Sequence, residues 1–106
     1  MSKLTLVCKA FRPFEKNTLR GFAEIHIKDL ALTVKDIALH QKNAARWASL
    51  PSKPMLRDGV LMKDADGRGQ YAPLFEFGSK QVRDAFSAAV VAAVLAHSPN
   101  AFGEPF

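Results

Sequence analysis

Residues 19–42 read LRGFAEIHIKDLALTVKDIALHQK, and two features of this stretch decide the fold. From Leu19 to Lys28, Ala23, Ile25 and Ile27 alternate with Arg20, Glu24, His26 and Lys28, the period-two pattern of a strand with one buried face. Asp29 predicts a tight corner into a further strand over Leu30–His40, and there the parity switches. Leu32 and Val34 share one parity, whereas Ile37 and Leu39 have the other. One extra residue at Lys35-Asp36 restores a single inward face. The sequence therefore predicts a β-bulge at that pair, with Leu32, Val34, Ile37 and Leu39 all facing the core.

Outward from this stretch the pattern continues. Residues 3–12 (KLTLVCKAFR) alternate with Leu4, Leu6, Cys8 and Ala10 on one parity and Lys3, Thr5, Lys9 and Phe11 on the other. Arg12–Thr18, with Pro13 and Asn17, predicts the hairpin connection. Gln41–Ala44 reads as a polar turn and Ala45–Leu50 as a short fourth strand ended by Pro51. Residues 51–70 read as an irregular loop with a hairpin around Asp58-Gly59, and Tyr71–Phe77 as one more strand or an extended approach to a helix. Ser79 predicts the N-cap of that helix, which runs to about His97 before Pro99.

Between Ala85 and Ala96 the one polar residue is Ser87. A helix apolar all round is normally covered all round, and one small sheet covers one side. A second copy of the chain is the simplest further cover, so a homodimer is expected through Phe86, Val90, Val91, Val94 and Leu95. The expected fold is α+β: a four- to five-stranded antiparallel sheet with one C-terminal helix packed on a face, dimerising. One domain is expected over 1–98, followed by a 99–106 tail that is loose unless Phe102 and Phe106 are tied down.

The chain has 106 residues, 48% of them hydrophobic and 24% charged, which is ordinary globular usage. Its net charge of +5 is uneven. Residues 1–50 carry nine Lys and Arg against four Asp and Glu, whereas residues 51–106 carry six of each. An anionic partner is therefore sought in the N-terminal half. There is no run of eighteen apolar residues and no secretory-signal pattern, so a cytoplasmic location without a membrane partner is expected.

Catalytic chemistry is not legible. His26, His40 and His97 lack metal-ligand spacing, and Cys8 lies on an apolar strand parity. Asp64–Gly69 has a glycine two positions early for a calcium loop and Arg68 where an oxygen ligand belongs. No enzyme, cofactor, metal or small-molecule substrate is expected. What remains is a surface. Lys9, Phe11, Arg20, Phe22, His26, Lys28 and Lys35 take outward strand positions, and cations interleaved with aromatics suit single-stranded nucleic acid. Phosphate contacts are expected at Lys9, Arg20, Lys28, Lys35, Arg46 and Lys53, with Phe22 stacking on a base. Alternatively, Phe11 and Phe22 pack beneath the 51–70 loop, and Trp47 is core, as is usual in a small β-protein. The competing class is a protein-interaction or assembly module, marked by acids interspersed among the cations.

Val34-Lys35-Asp36-Ile37-Ala38-Leu39 and Leu50-Pro51-Ser52-Lys53, with Asn43 and Trp47 between them, resemble the motifs of the SpoVG family (stage V sporulation protein G, the septation-regulator family). Glu24-Ile25-His26-Ile27 resembles that family's preceding alternating strand. The order of elements is similar over about residues 4–95, and the sharp motifs cover 32–53. The resemblance implies an α+β fold, a homodimer, and DNA binding, with RNA binding in some members, in gene regulation rather than catalysis. The chain departs from the pattern at Pro54, where the family has a basic residue, in the longer 54–72 connection, and in its Ala/Val-rich helix.

Overall fold

A computed structural model describes residues 5–103. A four-stranded antiparallel meander, β1 (Leu6–Lys16), β2 (Leu19–Ile27), β3 (Leu32–Lys42) and β4 (Ala45–Ser49), runs in sequence order. A 3-10 turn, Lys28–Leu30, makes the corner between β2 and β3 and ends at Ala31 in the left-handed region. The loop after β4 forms two small ribbons. β5 (Ser52–Pro54) pairs with β8 (Tyr71–Pro73), and between them β6 (Leu56–Arg57) pairs with β7 (Val60–Leu61) around Asp58-Gly59. Both turn residues have positive φ, as a tight hairpin requires. Helix α1 (Lys80–His97) starts at Ser79, whose Oγ accepts from the Val82 N–H at 3.2 Å.

The bulge lies where the parity switch predicts it. Ala23 pairs with Ile37 and Ile25 with Val34, so Lys35 and Asp36 together oppose Glu24. Asp36 takes φ of 59° to make the extra step. The shift brings Val34, Ile37 and Leu39 to one buried face, where Ile37 and Leu39 are fully enclosed. Leu32 departs from the expectation. As the first residue of β3 it is 45% exposed.

A second bulge changes the reading of β1. Cys8 pairs with Ile25 but Ala10 with Glu24, so Lys9 is the extra residue. Beyond it the faces exchange: Ala10 is exposed and Phe11 packs against the core. Lys3, Leu4 and Phe106 lie outside the described residues.

Helix α1 crosses the inner face of the sheet against β1 and β4. Ile25, Ile37, Leu39, Val90 and Val94 are the largest fully buried side chains, each contributing ~1.5–3 kcal/mol. Ser87, the polar exception in the Ala85–Ala96 run, accepts the Ala48 N–H at 2.8 Å and ties the helix to β4. The expectation that Val90 and Val94 face a second copy is corrected, since both are sealed in the core of one chain. Phe86, Val91 and Leu95 are half-buried against that core. The side left outward carries Ala85, Ala88, Ala92 and Ala96, whose small side chains expose little apolar area. Past Pro99 the chain turns inward, and Ala101 and Phe102 join the core rather than forming a loose tail.

Candidate nucleic-acid interface

The face of the sheet opposite α1 is built by the residues that alternate with the core. Arg12 on β1 and Phe22 on β2 are cross-strand partners, and the Arg12 guanidinium carbon lies 5.3 Å from the Phe22 ring centroid. Phe14, two residues along β1 and 52% exposed, brings its ring centroid to 6.2 Å from that of Phe22. A depression of about 210 Å³ opens beside this cluster, lined by Ala10, Arg12, Phe22, Glu24, Lys35 and Asp36. Both bulges border it. The bulges therefore turn an even ladder into a notch with cations on its rim.

Acids sit among these cations. Arg12 lies 3.7 Å from Asp36, and Lys35 lies 4.0 Å from Glu24. Such exposed pairs contribute about 0–1 kcal/mol and exchange readily for other partners. In the lining of the notch Arg12 and Lys35 balance Glu24 and Asp36, and Lys9, exposed at the β1 bulge, is one further cation on that strand.

Farther along the same face, His40 and Trp47 are cross-strand partners on β3 and β4. Their rings stack at 5.4 Å between centroids and 9° between planes. His40 Nδ1 shares a hydrogen bond with Thr18 Oγ1 at 3.0 Å. Burial, with the positive charge of Arg20 adding to it, lowers the His40 pKa. The alternative that makes Trp47 core does not hold. The parity of Trp47 against the core-packed Ala48 was the signal that places it outward.

The seven expected nucleic-acid residues do not form one patch. Phe22 and Lys35 line the notch, and Lys9 is exposed at the β1 bulge. Lys28 is exposed at the corner after β2, and Arg20 stands at the other end of that strand, about 27 Å away at strand rise. Arg20 serves the β1–β2 turn, with Nη1 donating to the Asn17 and Leu19 carbonyls at 2.8 and 3.0 Å. Arg46 is on the helix side. Its Nε donates to the buried Gln41 Oε1 at 3.0 Å, and its guanidinium lies 4.9 Å from the Phe102 ring centroid. Lys53 is exposed on β5, outside the main sheet. Arg12, which the sequence pattern assigns to the hairpin connection, instead lies in β1 and takes the place beside Phe22.

Two further hollows lie on the helix side. One of about 570 Å³ runs between β4 and the start of α1, with Leu50, Phe77 and Phe86 below and Lys80 and Arg83 at its rim. The other, about 540 Å³, gathers Lys16, Arg20, Gln41 and Phe102. Among the described residues no three His, Cys, Asp or Glu side chains come together as a metal site, and no helix is long and apolar enough to cross a membrane. Compared with family models, curated proteins and solved structures, the chain matches none.

Proposed function

We propose that this chain is a non-enzymatic, cytoplasmic, nucleic-acid-binding regulatory protein resembling the SpoVG family, acting as a dimer, and that the outward face of its sheet holds the nucleic acid. One observation carries the reading: Arg12 stacked on Phe22 beside Phe14, on the side of the sheet opposite α1. A guanidinium over a ring offers a phosphate contact and a base-stacking surface at one place. Lys35 adds a cation to the same notch, and Lys9 is exposed at the β1 bulge.

The test is fluorescence anisotropy with labelled single- and double-stranded oligonucleotides at low ionic strength, run beside an unrelated basic protein. Three phosphate contacts give a slope of about −2 to −3 for the logarithm of the binding constant against that of salt. Absence of binding at low salt overturns the proposal. A protein-interaction module is the second reading, favoured by Glu24 and Asp36 among the cations. It requires binding to a protein partner and none to oligonucleotides.

Self-association is assigned to the half-buried Phe86, Val91 and Leu95 of α1, because Val90 and Val94 are already used in the core. Sedimentation equilibrium at tens of micromolar is expected to give a dimer, and Ala88→Glu, at an exposed position, to give a folded monomer. A monomeric wild-type chain overturns this part alone.

A further inference from the structure

We infer that the His40–Trp47 stack is a second base-stacking station, and that together with Phe22 it makes the outward face a trough for single-stranded rather than duplex nucleic acid. The inference rests on the nucleic-acid reading above and goes further, naming the strandedness and a residue not assigned before. Three observations support it.

The first is placement. Phe22 pairs with Ala38 and Ala38 with Ser49, while His40, two residues along β3, pairs with Trp47. Phe22 and Trp47 are therefore two strand spacings apart laterally and two residues apart along the sheet. That is about 12 Å between their backbones.

The second is the floor between them. Ala38 and Ser49 are small, and Ser49 is exposed. No bulky side chain at those two positions interrupts the path between the stations.

The third is geometry of the ligand. Bases in a duplex are stacked about 3.4 Å apart with their faces covered, so a duplex cannot present faces to two rings this far apart. A single strand with unstacked bases can, and base–aromatic stacking is tolerant of sequence. The near-parallel His40 ring holds the Trp47 indole in a fixed orientation, which lowers the cost of ordering it on binding.

The chain has one tryptophan and one tyrosine, so emission excited at the red edge of absorption, beyond the tyrosine band, reports Trp47 alone. Titration with unlabelled dT12 at low salt is expected to change that emission in step with anisotropy of a labelled dT12, while a 12-base-pair duplex leaves the emission unmoved. Trp47→Leu is expected to weaken dT12 binding about 5- to 160-fold. Ser49→Glu, at an exposed position, places a negative charge on the trough floor and is expected to weaken binding as well. If dT12 binds by anisotropy while Trp47 emission is unmoved, or while Ser49→Glu and folded Trp47→Leu bind as wild type does, the second station is wrong and the nucleic-acid reading stands. Equal or tighter duplex binding overturns the strandedness. If no oligonucleotide binds at all, both fall together.

Discussion

The ring of Phe11 occupies the space that a Cβ on Gly21 would need: such an atom would lie 2.5 Å from Phe11 Cζ and 2.6 Å from the Arg12 carbonyl oxygen. The bulge at Lys9 turns Phe11 inward across β2, and a residue without a side chain at Gly21 leaves room for the ring. The backbone contact cannot be relieved by a rotamer change. Gly21→Ala is therefore expected to destabilise the fold by about 1–3 kcal/mol, as overpacking does. Thermal unfolding would show a fall in Tm of several degrees or more. An unchanged Tm would mean that Phe11 is not seated over β2.

Asp36 carries the positive φ of the β3 bulge. Asp tolerates the left-handed region better than a β-branched residue does. Asp36→Val should cost about 1–2 kcal/mol in chemical denaturation, whereas Asp36→Gly should be neutral or mildly stabilising. Equal stability of the two variants would argue against the bulge.

His40 makes stability depend on pH. Its folded pKa lies below the ordinary 6.5, because burial and the Arg20 charge disfavour the imidazolium. The unfolded chain then holds more protons in the window between the folded value and 6.5. Stability consequently rises with pH through that window, is complete above 6.5, and is lost as pH falls. Urea titrations of His40→Phe, which keeps an aromatic ring beside Trp47, should show a smaller loss between pH 7 and 5 than the wild type.

Arg12 and Arg46 should behave oppositely. Arg12→Ala removes an exposed cation at the notch and should reduce the salt slope of oligonucleotide binding by about one unit with little change in Tm. Arg46→Ala leaves the buried Gln41 carbonyl oxygen without its partner and Phe102 without its guanidinium, so it should cost about 1–2 kcal/mol of stability. Its salt slope should match that of the wild type.

Much of the fold was legible because periodicity is a local property. The alternation over 19–28, the parity switch at Lys35-Asp36, the Asp58-Gly59 turn and the Ser79 cap each declare themselves within a few residues. Which face a residue ends on is not local in the same way. The bulge at Lys9 has no parity switch strong enough to mark it, since Ala10 and Phe11 are both apolar, and one inserted residue exchanges every side chain beyond it. That exchange moved Phe11 into the core and brought Arg12 to Phe22. Cations are alike in sequence, but Arg46 reaches Gln41 and Phe102 only because the chain past α1 folds back. The sequence by itself determined the α+β class, the strands of the main sheet and the helix, because these follow from spacing along the chain. Tertiary structure alone decided which cations and rings share a surface, because that depends on strand register and on what the far end of the chain covers.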